Sequence, residues 1–271
     1  MAIAQPASDF GRYRMRPLLT FLLHDKRVPS FARRMLRAVF RNQKSDIELD
    51  GIKFRCYPNQ NHHDRAIASG TLFRTEGEEY RFMEAALQNG GVFADIGANI
   101  GAVFIPLSVR AKAPVQVIAI EPNPDNIQRL TYNAKLNGIG NLTVMPYAVG
   151  PSGKVRLWTN NASNSGQSSL YDYGKGKSLG YIEVEARPLL DILKEAHVTT
   201  ISLLKIDIEG YEDKALIPFF KEAPRVLWPK AVIVEHAHRH VWQDDCIAAM
   251  EARGYAVQKA TKGNTMLTLA S

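Results

Sequence analysis

Short apolar runs separated by helix-length segments recur from Val92 to His236, and this alternation constrains the fold more than any other feature of the chain. Val92–Ile96, Val115–Ile120, Leu142–Pro146, Ser202–Ile208 and Ala231–His236 read as strands. Helical patterns lie between them, to about Ala111, over Pro124–Asn137, over Leu189–Ala196 and after Gly210. Repeated strand–helix units predict a doubly wound α/β fold, with a mostly parallel sheet covered by helices on both faces. The rhythm breaks once, where Lys154–Trp158 and Tyr181–Ala186 read as strands around a polar stretch, 159–180, containing Gln167 and Tyr171. An excursion of this length is a lid, a substrate loop or a disordered segment. A helix at Asp245–Arg253 precedes two last strands, Tyr255–Lys259 and Met266–Leu269, which Lys262-Gly263-Asn264 joins as an antiparallel hairpin. Upstream, 46–57 reads as a β segment turning at Asp50-Gly51, and 62–90 as mostly helical. The expected organisation is therefore a basic N-terminal segment, 1–45, and one domain, 46–271, with a β/loop insertion at about 154–186.

Charge separates these two parts. Residues 1–44 hold ten Lys and Arg against Asp9 and Asp25, a net +8, whereas the whole chain carries +7, so the remainder sums to −1. Ser30 can cap a helix from Phe31 to about Gln43, with Phe31, Met35, Val39 and Phe40 on one face and Arg33, Arg34, Arg37 and Arg41 around it. Such a helix suits docking on the body, peripheral contact with an anionic membrane or glycolipid, or nucleic acid. The body has no aromatic–basic stripe, which weighs against nucleic acid. No run reaches the roughly 20 apolar residues of a membrane span, and Leu18–Leu23 is too short for a secretory signal. A cytoplasmic location, with peripheral contact at the inner membrane surface as a variant, is the expectation. Cys56 and Cys246 have no metal-ligand spacing and read as reduced packing residues.

Asp95-Ile96-Gly97-Ala98-Asn99-Ile100-Gly101 sits where a buried strand turns into a helix, the default ligand position in an open α/β sheet. A dinucleotide fingerprint would need Gly where Asn99 stands. Asp95 would repel a pyrophosphate but attract the ammonium group of a bound amino acid, so the turn favours S-adenosylmethionine over NAD. After the second strand, Glu121-Pro122-Asn123 places a carboxylate where it can accept hydrogen bonds from a ribose diol, and Pro124 occupies the first helical position. Tyr147-Ala148-Val149-Gly150 follows the third strand, where Ala148 can line an adenine or simply pack a turn.

Lys205-Ile206-Asp207-Ile208-Glu209-Gly210-Tyr211 ends the fourth strand with two carboxylates at i and i+2. Asp207 can orient the cofactor's methionine end or an acceptor hydroxyl, and Glu209 can do the same or cap the next helix. Glu235-His236 closes the fifth strand, with His238 and His240 beyond it. A histidine there can take an acceptor's proton near neutral pH, and His236 is the first choice. Spacing of two residues without a second ligand cluster makes a metal site a poor reading of these histidines. His62 and His63 have no comparable context and read as surface or packing residues.

The ordered set Asp-x-Gly-Ala-Asn-x-Gly, Glu-Pro-Asn-Pro, Asn133-x-x-x-Asn137-Gly138, Arg187-Pro-Leu-Leu-Asp191, Lys-Ile-Asp-Ile-Glu-Gly-Tyr-Glu and Val-Glu-His resembles the FkbM family of S-adenosylmethionine-dependent methyltransferases over about residues 76–236. The resemblance implies a class I methyltransferase sheet, usually of seven strands, and O-methylation of hydroxyls on sugars or natural products. By matching motif it implies that Asp95, Gly97, Asn99 and Glu121 bind the cofactor, joined in this reading by Ala98, Gly101, Pro122, Asn123 and Ala148. Asp207, Glu209 and His236 would face the acceptor. Pro106 interrupts the first core helix, and the basic leader lies outside the family core. The expected activity is methyl transfer to a hydroxyl of a sugar or glycan. The alternatives are a polyketide-like acceptor, or a non-catalytic cofactor- or nucleic-acid-binding protein.

Overall fold

The computed structural model describes residues 9–13, 28–32, 35, 43–58, 62–72, 77–160, 168–170 and 178–270. Most of the basic leader, including most of the Phe31–Gln43 helix, lies outside them, as do Gln167 and Tyr171. Of the leader's apolar residues, Phe31 and Met35 are described and exposed.

Strands β1 (Ser45–Leu49) and β2 (Ile52–Cys56) form a hairpin whose two-residue turn places Asp50 and Gly51 at φ 52° and 78°, the left-handed pair that suits the twist of a tight hairpin. The segment read as mostly helical divides into α1 (His62–Ala68) and α2 (Gly77–Ala86). The core then runs β3 (Gly91–Ile96), α3 (Phe104–Arg110), β4 (Val115–Ile120), α4 (Pro124–Leu136), β5 (Leu142–Met145) and β6 (Ala148–Val149). An excursion follows through β7 (Gly153–Asn160), β8 (Ser168–Ser169) and β9 (Ser178–Arg187). The chain closes with α5 (Leu189–Glu195), β10 (Leu203–Ile206), α6 (Glu212–Glu222), β11 (Ala231–Glu235), α7 (Cys246–Glu251), β12 (Tyr255–Ala260) and β13 (Asn264–Leu269). Pro106 falls in the first turn of α3, where its missing N–H has no intrahelical partner to lose.

Seven strands form the central sheet in the order β12-β13-β11-β10-β3-β4-β5. From β11 to β5 all neighbours are parallel, while β13 runs antiparallel to both β11 and β12. The C-terminal hairpin thus inserts its second strand between β12 and the rest of the sheet. This is the class I methyltransferase arrangement, and its strand order reverses at β3–β10. Crevices at such a point are where α/β sheets hold ligands.

Alternation along the strands builds two cores. Ala94, Ile96, Ile118, Ile120, Leu204, Ile206, Val232 and Val234 pack one face against α5, α6 and α7. Phe93, Val117, Ala119, Leu203, Ala231 and Ile233 pack the other against the β1–β2 hairpin and α1 to α4. With a side-chain period of two, Asp95, Lys205 and Glu235 share that second face. Two asparagines one helical turn apart join the hairpin to α4. Asn133 accepts the Arg55 N–H at 2.8 Å, and Asn137 accepts the Lys53 N–H at 2.9 Å while donating to the Lys53 carbonyl at 2.7 Å. This part of the family-like motif is therefore mortar for β2. Arg55 itself pairs with Asp46 at 2.7 Å and Asp9 at 2.9 Å, between the rings of Tyr13 and Tyr132.

The excursion pairs with β6 as a separate sheet, β6-β9-β7-β8, with its own small core of Ala148, Leu157, Val184 and Ala186. Both cysteines are buried and free. Among the described residues no helix is long and apolar enough to cross a membrane.

Candidate active site

The carboxyl ends of β3, β4, β10 and β11 open into a cavity of ≈ 310 Å³, walled also by α1 and by Leu157 and Leu170 of the inserted sheet. One end is built by the turn after β3. Gly97, Asn99 and Gly101 take φ values of 79°, 52° and 83°, so alternate residues are left-handed and the backbone coils against β4. Gly97 and Ala98 both donate to the Ile120 carbonyl, at 2.9 and 3.2 Å. A Cβ on Gly97 would stand 2.0 Å from the Asp207 carbonyl oxygen, so glycine is what lets the ends of β3 and β10 touch. Asn99 tolerates its left-handed backbone as asparagine does, and its N–H donates to Glu121 at 2.9 Å.

Glu121 is buried, and its carboxylate accepts from Asn99 N–H, from Asn123 N–H at 3.0 Å and from Asn126 Nδ2 at 3.2 Å. Burial raises its pKa and these three hydrogen bonds oppose the rise. A carboxylate offers about four acceptor positions, so one more donor can be met. Asn123 caps α4 by accepting the Asp125 N–H at 3.0 Å. Gly97, Asn99, Glu121, Pro122 and Ala148 line the cavity, and Asn126 and Tyr147 join them. Ala98, Gly101 and Asn123 shape the turns behind the wall.

Asp95 also lies behind the wall. It is fully buried, both carboxylate oxygens lack a hydrogen-bond partner, and Lys205 Nζ is 4.0 Å away. Burial pushes its pKa up to about 6 despite Lys205, with Asp207 adding to the rise. A desolvated carboxylate with unmet acceptors calls for a cationic donor.

The other end carries a cluster of ionisable groups: Asp207, Glu209, Glu235, His63 and His238. Lys205 Nζ reaches Asp207 at 3.4 Å. Burial acts to raise the Asp207 carboxyl, but Lys205 and the two histidines outweigh it and hold it below the usual range. Glu209 has a left-handed backbone, φ 55°. The loop is held in that shape by the buried Glu212, which accepts the N–H groups of Ile208 and Gly210 at 2.9 and 3.3 Å and the Trp242 indole at 2.9 Å. Glu209 and Glu235 both approach His238 Nδ1 at 3.6 Å. Burial and the neighbouring carboxylates, Asp207 first among them, push each of these glutamates up to about 8. Burial lowers His238.

His236, the sequence's first choice for a base, is not part of this wall. Its Nδ1 shares a 2.8 Å hydrogen bond with Thr265 and its N–H donates to the Gly263 carbonyl at 2.7 Å. The chain leaves β11 at Glu235, strand alternation ends there, and it is His238 that turns into the cavity. His62 and His63, read as surface or packing residues, line it as well. Only tertiary contact marks them, since nothing in their local sequence does. Among the described residues no three His, Cys, Asp or Glu side chains are grouped to hold a metal ion.

The methyltransferase FkbM domain matches residues 95–257, which span both ends of the cavity. The chain belongs to the FkbM methyltransferase family. No curated protein matches it. Among solved structures it is similar to an FkbM methyltransferase from Methylobacillus flagellatus, with 18% identity and a TM-score of 0.43 over 78% of this chain and 56% of that one. It is also similar to a precorrin-6y C5,15-methyltransferase from Geobacter metallireducens, with 15% identity and a TM-score of 0.42 over 72% and 88% of the two chains. This FkbM protein is an S-adenosylmethionine-dependent methyltransferase. The residues present fit that cofactor, since a glycine turn packed against backbone and a braced glutamate line one end of the cavity, and the buried Asp95 carboxylate, without a hydrogen bond and 4.0 Å from Lys205 Nζ, lies just behind them.

Proposed function

We propose that this FkbM enzyme methylates a hydroxyl oxygen of a sugar-like acceptor. The observation that carries the reading is the wall of Asp207, Glu209, Glu235, His63 and His238 beside the cofactor end of one cavity. A hydroxyl must surrender a proton as its oxygen is alkylated, and a polyol offers several donors and acceptors to be met. S-adenosylmethionine supplies, when bound, an electrophilic methyl group. Glu121 and the Gly97–Gly101 turn would hold its ribose and amino-acid parts, with Asp95 giving charge complementarity to the ammonium. Asp207, kept ionised by Lys205, orients the acceptor hydroxyl. The proton-accepting role read for His236 falls in this proposal to His238, which lines the cavity between Glu209 and Glu235. Asp207, the ionised carboxylate whose field reaches His238, stabilises the imidazolium that forms. Leu157 and Leu170 add apolar surface to the wall of the site.

The test is methyl transfer from labelled cofactor to a panel of hexoses, nucleotide-linked hexoses and phenols, with the product's linkage determined. Alkali-stable methyl ethers on a sugar support the reading. Transfer confined to phenols would favour the polyketide-like acceptor, and a His238→Gln enzyme with an unchanged pH–rate profile would remove the base assignment.

A further inference from the structure

The FkbM match begins at Asp95, yet the cavity has a wall from before it. Helix α1 contributes His62 and His63. It packs Ala66 and Ile67 into the core on the sheet face that carries Asp95, Lys205 and Glu235. Its position is pinned by the buried Asp64, which accepts the Tyr57 N–H at 2.9 Å and pairs with Arg129 of α4. The Arg129 guanidinium in turn lies 4.5 Å from the Tyr57 ring centre. Arg129 is three residues beyond Asn126, so one face of α4 supports both α1 and Glu121. A histidine adjacent to such an anchor holds a fixed place over the cavity. His63 sits within the fields of Asp207 and Lys205. Burial, opposed by Asp207 and assisted by Lys205 and His62, lowers its pKa to about 4. Its ring is therefore neutral near pH 7, with one nitrogen donating and the other accepting, a pairing that matches an alcohol.

We propose that His63, carried on α1 from outside the matched domain, contacts the acceptor and sets its specificity, sharing the acceptor end of the cavity with Asp207. This rests on the hydroxyl-acceptor reading above. The first test needs no acceptor: carbethoxylation of the full chain with diethyl pyrocarbonate, followed by fragment-ion mass spectrometry that separates His63 from His62. A neutral cavity histidine at the acceptor end reacts at the same rate with and without S-adenosylhomocysteine. Protection by S-adenosylhomocysteine, or no reaction in either state, overturns the assignment. The second test is His63→Gln. Its affinity for S-adenosylhomocysteine should stay within about twofold, while KM for sugars that the wild type methylates rises about tenfold, the scale of one lost hydrogen bond. An unchanged KM, or lost cofactor affinity, overturns it. A wild-type enzyme that methylates no hydroxyl compound defeats the functional reading alone, and the carbethoxylation result then decides the placement of His63.

Discussion

At the β3–β4 end of the cavity Glu121 is met by three donors at 2.9 to 3.2 Å, whereas at the β10–β11 end Glu209 and Glu235 approach His238 at 3.6 Å and are pushed up to about 8. The first carboxylate is braced by backbone and amide groups that cannot change charge. The others sit among groups that can. A site for one fixed ligand gains from preorganised donors, while a site that must move a proton gains from groups poised near neutrality. The difference supports the proposed division, with cofactor holding at one end and acceptor chemistry at the other.

The strongest challenge to this division is Gly97→Ala, which would place a methyl group 2.0 Å from the Asp207 carbonyl at φ 79°. We expect a loss of about 3 kcal/mol or more of stability and no measurable cofactor binding, checked by thermal melting and calorimetry. A soluble variant that binds normally would mean that the two strand ends need not touch.

Exchanging the ends should separate them next. Glu121→Gln should weaken S-adenosylhomocysteine by about 2 kcal/mol, since it disturbs a buried charged acceptor. Asp207→Asn should leave that affinity nearly intact and lower turnover by roughly a hundredfold, within the range of one positioned polar group. Calorimetry with steady-state kinetics reads both, and the division fails if the two variants behave alike.

Protonation sharpens the comparison further. Glu209 and Glu235 bind protons more tightly in the folded than in the unfolded chain. Their linked contribution to stability therefore falls as pH rises from the ordinary carboxyl value of 4.5 to about 8, and levels off above. Glu235→Gln should flatten this decline and leave the variant about 1 kcal/mol more stable than the wild type at pH 9. Melting temperatures measured from pH 5 to 9 check it, and parallel curves for the two proteins would contradict the charge balance drawn here. The smallest effect should come from Asn126→Ala, which removes one of three braces on Glu121 and should cost about 1 kcal/mol of cofactor affinity. No change would mean that the two backbone donors suffice.

The strand–helix alternation, the turn at Asp95–Gly101, Glu121 after β4 and the carboxylates ending β10 were legible in the chain, because each depends on period, turn chemistry and position along one element. Asn123 and Pro124 announced the start of α4 for the same reason. What tertiary structure decided lies between elements. The insertion of β13 between β11 and β12 reflects which edge could be covered, and no local pattern encodes it. The inserted sheet brings Leu157 and Leu170 over the cavity through its own small core. His238 lines the cavity and His236 does not, because strand alternation stops at Glu235 and the facing of the next residues follows from the turn in which His236 bonds Thr265. His63 had no local signal at all. Its place comes from the buried pair of Asp64 and Arg129, residues far apart in the chain, and proximity of that kind exists only once the chain has folded.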